Sequence, residues 1–186
     1  MIHAVVLAAG ESRRMGTPKQ LLPLGGKTVL QAVVDTLLSC PLDGVTVVLG
    51  HRAEEVRASL GDRPVRIAVN RNYTEGMLSS AQAGLAALPP DTGAFLVCLG
   101  DQPSLDPRVV SRLIETHRRT GVGIVIPTSE GTRGHPALVS LRYRDAISAL
   151  SPAVGLKGLM RAHPEDTAEV EVGSPGILDD LDTPED

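Results

Sequence analysis

The chain has 186 residues, and with one Phe, two Tyr and no Trp its core must be built from Val, Leu, Ile and Ala. That length predicts one domain over residues 1–186, with enough chain to cover a single sheet. A net charge of −4, with the basic residues spread along the sequence, excludes a nucleic-acid polymer as partner, because polymer affinity comes chiefly from neutralised phosphates. The two cysteines, Cys40 and Cys98, are too few for a disulfide framework or a zinc site. Cys98 lies inside the apolar run "AFLVCLG" and reads as a buried reduced thiol. The N-terminal "MIHAVVLAAG" lacks the charged start of a signal peptide. No apolar run approaches the ~20 residues that span a bilayer, so no membrane partner is expected and a cytoplasmic location is.

Strand patterns begin with "HAVVLA" (3–8) and continue with "VTVVLG" (45–50), "VRIAVN" (65–70), "AFLVCLG" (94–100), "GIVIPT" (123–128), "HPALVS" (135–140) and "AEVEV" (168–172). Between the first two, Val29, Leu30, Val33, Val34, Leu37 and Leu38 repeat at helical spacing, with Thr28 as N-cap and Pro41 as terminator. Short helices follow in "EEVRASL" and "SSAQAGLAAL". In "DPRVVSRLIETHRRTG", Asp106 caps, Pro107 takes the first helical position and Gly121 stops the helix. Two more helical stretches, 142–150 and 155–163, precede the last strand pattern. Strands alternating with helices, the early strands wholly apolar, predict an α/β fold: a mostly parallel sheet with helices on both faces.

Ligands of such sheets sit beyond the carboxyl ends of the strands. The loops that matter are therefore 8–19, 50–53, 70–80, 100–104 and 128–135. In the first, Gly10 and Gly16 permit close backbone approach to an anion, and Arg14 and Lys19 supply charge suited to phosphate. Neither of the two common phosphate-loop patterns fits. Ser12 stands where G-x-G-x-x-G needs its second glycine, and Thr17 follows Gly16 where a P-loop has lysine. A solvated basic turn is the plainer alternative on chemistry alone.

The longer pattern is more specific. "LAAGESRRMGTPKQLLP" resembles the signature L-x-x-G-x-S-x-R-M-G-x-x-K-x-L-L-P of the molybdenum-cofactor nucleotidyltransferase-like family, matching at Leu7, Gly10, Ser12, Arg14, Met15, Gly16, Lys19, Leu21, Leu22 and Pro23. The resemblance implies a Rossmann-like nucleotidyltransferase fold, shared with sugar-nucleotide pyrophosphorylases. It also implies a nucleotide held along Leu7, Ala8, Ala9 and Gly10, with Arg14 and Lys19 on its phosphates. Arg13 then reads as a solvated neighbour.

"FLVCLGDQPSLDP" ends a buried strand at Asp101. A carboxylate there points into the ligand crevice, where a lone charge is costly unless a cation arrives. The plainer alternative, a helix cap, is already filled by Asp106. The C-terminal "GILDDLDTPED" reads by composition as solvated acidic surface. It resembles the family's closing D-I-D-T-P-E-D, which implies that Asp182, or less well Asp180, joins Asp101 on one Mg²⁺. Magnesium takes one or two carboxylates plus waters and substrate phosphates, so the resemblance and the chemistry agree. Catalysis is thereby expected from Arg14, Lys19, Asp101 and Asp182, all four acting on charge.

The third loop, "NRNYTEGMLSSAQAGL", resembles the family's base-reading segment, with Gly76 allowing backbone approach and Ser80 donating to the base. Ordinary helix-start capping is the competing account of both serines. Leu78 replaces a small residue, which loosens the carry-over to Ser79. Gly134-His135-Pro136 matches the G-H-P of the cytidylyltransferase branch, and Ala9 departs from the L-A-G-G of the guanylyl branch. Both imply CTP over GTP, with Gly134 and His135 on the acceptor side. The acceptor implied is molybdopterin-type cofactor, a client molybdoenzyme being a further partner. Two alternatives stay open: transfer of another nucleotide to a sugar or polyol phosphate, and a non-catalytic cofactor carrier. The first is disfavoured by a chain end that leaves no room for a sugar-specific domain. The second is disfavoured by the joint presence of Lys19, Asp101 and Asp182.

Overall fold

The structure, a computed structural model, describes residues 1–12 and 16–179. In chain order the described elements are β1 (Ile2–Ala8), β2 (Pro23–Leu24), β3 (Lys27–Thr28), α1 (Val29–Leu38), β4 (Gly44–Leu49), α2 (Ala53–Ser59), β5 (Arg66–Val69), α3 (Met77–Ala86) and β6 (Ala94–Leu99). There follow α4 (Pro107–Thr120), β7 (Ile124–Ser129), β8 (Thr132–Arg133), β9 (Ala137–Ser140), α5 (Arg144–Ala149), α6 (Lys157–Ala162) and β10 (Thr167–Glu171). The main sheet runs β10-β7-β9-β6-β1-β4-β5, with β8 folded back on β7. The pairs β1–β4, β1–β6, β4–β5 and β7–β10 are parallel. Strand β9 is antiparallel to both β6 and β7, so the sheet is mostly parallel with one reversed strand inside it.

Helices cover both faces. Ala4 and Val6 of β1 pack with Leu30, Val33 and Leu37 of α1 and with Val110 and Leu113 of α4. Val5 faces the other way, among Leu85, Phe95 and Ile147. This alternation is what a strand covered on both sides requires. Helix α3 comes unusually close to the sheet: a Cβ on Gly84 would lie 2.3 Å from Val5 Cγ1 and 3.0 Å from Val48 Cγ2.

The capping signals act as the sequence predicts. Thr28 Oγ1 accepts from Gln31 N and Gln31 Oε1 accepts from Thr28 N, a reciprocal box that satisfies two end donors of α1. Asp106 Oδ1 accepts from Arg108 N, Pro107 opens α4, and Gly121 closes it in the left-handed region at φ 72°. Helix α3 begins two residues before the predicted stretch, because Gly76 at φ 100° serves as its N-cap. Cys98 is buried, and burial pushes its thiol well above the ordinary range. Among the described residues no helix is long and apolar enough to cross a membrane.

Candidate active site

The chain steps outward from β1 through β4 to β5, then returns to place β6 on the opposite side of β1. Strand order therefore reverses between β1 and β6, and the loops leaving these two strands open into one crevice. They touch at the start: Gly100 N donates to Leu7 O at 3.0 Å, and a Cβ on Gly100 would sit 3.0 Å from that oxygen and 3.1 Å from Ala8 Cβ. Ala8 and Ala9 are buried and Gly10 is exposed at the crevice mouth. Ser12 takes a left-handed φ of 51°, the conformation that glycine supplies in other phosphate loops. Its Oγ accepts from Lys19 N at 2.9 Å, which folds the loop back on itself.

Lys19 opens a single 3-10 turn (Lys19–Leu21). Its Nζ lies 3.4 Å from Asp101 Oδ2, with the two side chains 12% and 25% exposed. Two residues 82 positions apart, singled out for opposite charge and for loops at strand ends, are thus neighbours. Asp101 is not the cap of α4, since Asp106 occupies that role. Arg14, Asp180 and Asp182 lie outside the described residues, and among the described ones no group of three His, Cys, Asp or Glu side chains could hold a metal by itself. Asp101 alone is a suitable single carboxylate for Mg²⁺, which fills its shell mainly with water and phosphate oxygens.

The neighbouring loops stack against the same crevice end. Ala9 O accepts from His51 N at 3.1 Å. A Cβ on Gly50 would meet Ala9 O at 2.8 Å and Tyr73 Cβ at 2.7 Å. His51 and Tyr73 rings meet edge-on at 6.0 Å. Behind them, Asn70 at the end of β5 gathers the third loop. Its Nδ2 donates to Ser79 Oγ at 2.9 Å and to Ser80 Oγ at 3.0 Å, and its Oδ1 accepts from Asn72 N at 2.9 Å. Ser79 does not cap the helix start: Gly76 is the N-cap with no side-chain cap bond, and the Ser79 hydroxyl donates back to Gly76 O at 2.8 Å. Ser80 is buried and bonded to Asn70, not to the helix backbone.

Gly134 and His135 precede β9, joined to it through a cis His135–Pro136 bond. His135 therefore lies in a turn, two residues before the strand the sequence pattern assigned it to. His135 and Gly76 line a cavity of about 500 Å³ with apolar walls at Leu156 and Leu159, cations at Arg133, Lys157 and Arg161, and an anion at Glu75. Neither Lys19 nor Asp101 lines it. The segment entering the C-terminus is fastened between the Asp101 loop and the His135 turn. Ile177 O accepts from His135 N at 3.0 Å and from Gln102 Nε2 at 3.3 Å. A Cβ on Gly134 would lie 2.3 Å from that same oxygen. Asn70 and Gln102 lie in loops the sequence singled out but were given no role there, and Lys157 and Arg161 were not visible as site residues at all. A polar residue closing an apolar strand was the only available signal, and it applied to Asn70 alone.

With this geometry in place, comparison with known proteins is informative. The profile of the MobA-like NTP transferase domain matches residues 4–167. Nicotine blue oxidoreductase of Paenarthrobacter nicotinovorans is 34% identical over 191 aligned positions, covering 99% of this chain and 93% of the relative. The bifunctional protein GlmU of Symbiobacterium thermophilum is 34% identical over 78% of this chain, which spans only 34% of that longer protein. The crystal structure of Rv0371c from Mycobacterium tuberculosis H37Rv superposes with a TM-score of 0.83 at 31% identity, over 98% of this chain and 92% of that one. A manganese complex of Rv0371c superposes at 0.76 with 29% identity, over 92% and 88%.

Proposed function

The chain belongs to the MobA-like NTP transferase family, and from that premise we propose that it transfers CMP from CTP to the terminal phosphate of a molybdopterin-type cofactor, releasing pyrophosphate. The observation that carries the reading is the Lys19–Asp101 pair at the strand-order reversal. It sets a cation for phosphate beside a carboxylate for a divalent ion. A phosphate nucleophile is already anionic near neutral pH, so the site needs charge neutralisation more than a general base.

Lys19, with Arg14, binds the β- and γ-phosphates and offsets charge as pyrophosphate departs. Loop 9–12 lays its backbone along the nucleotide, and Ser12 holds Lys19 N in register. Asp101 and Asp182 would hold Mg²⁺, which supplies Lewis-acid polarisation of the phosphates when bound. Asp182 follows Ile177 by five residues, a span of at most ~18 Å, and Ile177 is tied to the residue next to Asp101. A divalent ion as cofactor is supported by the manganese complex of Rv0371c. The apolar cavity beside His135, with Lys157 and Arg161 at its wall, is suited to a bulky organic acceptor that carries a phosphate.

Gly10 offers a test of backbone approach. A Cβ there meets nothing within 4 Å, and its φ is not left-handed. Gly10→Ala should therefore leave the unfolding midpoint unchanged or slightly raised while weakening nucleotide binding about tenfold by titration calorimetry. Unchanged affinity would remove loop 9–12 from the nucleotide site.

The function itself is tested by pyrophosphate release from CTP, GTP, ATP and UTP with Mg²⁺, with and without molybdenum cofactor. Cofactor-dependent release with CTP fastest is expected. Equal rates for all four remove the base assignment, and sugar-phosphate-dependent release would transfer the activity to that acceptor class. A second reading is favoured by the whole-length similarity to nicotine blue oxidoreductase: the crevice holds a nicotinamide nucleotide and the chain reduces a dye-like heterocycle. Oxidation of NADH or NADPH in the presence of nicotine blue, without pyrophosphate release from any triphosphate, would establish that reading instead.

A further inference from the structure

Asn70 opens the third-loop pattern but was given no role there, and its side chain is buried with every polar group employed. The orientation of its amide is fixed by chemistry. Asn72 N is a backbone donor, so the atom that accepts from it must be Oδ1, and Nδ2 must face the two serines. Ser79 Oγ and Ser80 Oγ are therefore both acceptors toward Asn70. Ser79 sends its own hydrogen to Gly76 O or Asn72 O. Ser80 has no such acceptor among the described residues, and its hydrogen has to point away from Asn70.

The place of Ser80 gives that direction meaning. Helix α3 starts at the carboxyl end of β5 and descends over the sheet, with Gly84 against Val5 and Val48. Ser80 is four residues earlier on the same face of the helix, one turn or about 6 Å nearer the crevice. Two strand residues cover that rise, which places Ser80 at the level of Leu7, beside the start of loop 9–12.

The geometry points to Asn70 as a positioning residue that fixes Ser80 as a hydrogen-bond donor toward the base of a nucleotide in the crevice. The inference rests on the nucleotide-binding reading above. A donor at this position complements the ring nitrogen or carbonyl acceptors of a pyrimidine, N3 and O2 of cytosine. A carboxylate in place of the amide would reverse the polarity. It can only accept, so both serines would turn their hydrogens toward it, and Ser80 would present lone pairs to the base.

The experiment is a double-substitution cycle read by titration calorimetry with CTP, GTP, ATP and UTP in the presence of Mg²⁺. Asn70→Asp and Ser80→Ala should each raise the CTP dissociation constant about tenfold, the usual consequence of losing one neutral hydrogen bond. The double variant should be no worse than either single one, because both act through one donor. If Asn70→Asp does not fold, Asn70→Ala replaces it: the hydroxyl is then unconstrained and the loss about threefold, again vanishing in the Ser80→Ala background. Unchanged CTP affinity in the Asn70 variants, or losses that add in the double variant, overturns the inference. A merely structural role would lower the unfolding midpoint but leave no dependence on Ser80. Wild-type protein that binds none of the four triphosphates overturns the nucleotide reading itself, and the role of Asn70 with it.

Discussion

Lys19→Ala and Asp101→Ala should each lower nucleotidyl transfer by about 10²–10³-fold, the usual loss when one preorganised charge-stabilising group is removed. The two should fail differently. Without Lys19 the crevice loses a cation for the triphosphate, so KM for the nucleotide rises along with the fall in kcat. Without Asp101 the crevice loses a negative charge that opposes phosphate, so KM holds or falls while kcat collapses. The fold should survive both changes. The pair joins two loops at a crevice mouth across 3.4 Å and is partly exposed, a setting worth about 1 kcal/mol or less. For a chain of this size that moves the unfolding midpoint by ~2–4 °C. Steady-state kinetics on folded protein decide the matter. Either variant keeping more than about a tenth of wild-type kcat/KM removes that residue from the chemistry.

Gly134→Ala should damage the site from a distance. The new methyl would lie 2.3 Å from Ile177 O, 2.7 Å from its Cγ1 and 2.8 Å from its Cβ. These are backbone and branch atoms that cannot swing aside, so segment 175–177 has to shift and the His135 N–Ile177 O bond has to break. Overpacking of this kind costs about 1–3 kcal/mol. Ile177 is five residues before Asp182, the proposed second metal carboxylate, so the expected effect is on the metal. Turnover should fall at least about tenfold, and the Mg²⁺ concentration for half-maximal rate should rise. Gly93→Ala is the control, since its methyl meets Met1 O and Met1 N at ordinary distances of 3.6 and 3.9 Å. A Gly134→Ala enzyme with wild-type Mg²⁺ dependence would separate the Ile177 anchor from the reaction.

Both predictions start from residues that the sequence named, Lys19, Asp101 and Gly134, but neither of the two contacts was legible there. Strand and helix periodicity, caps such as Thr28 and Asp106, and the stop at Gly121 are local properties, and they placed the elements within a residue or two. The strand-end position of Asp101 and the long first-loop pattern around Lys19 could likewise be read along the chain. The reversed direction of β9 could not, because a strand buried on both faces shows the same apolar run whichever way it points. Nor could the sequence assign His135 to a turn instead of a strand.

By itself, then, the sequence determined the alternation of strands and helices, the apolar faces and the chemistry gathered at strand ends, because each depends on spacing within a few residues. Only the tertiary structure decided that Lys19 meets Asp101, that Asn70 governs Ser79 and Ser80, and that Lys157 and Arg161 share a cavity with His135. Those contacts join segments up to 82 positions apart, and nothing in local spacing encodes them. They follow from the order in which the strands assemble, which is fixed by burying the whole sheet at once.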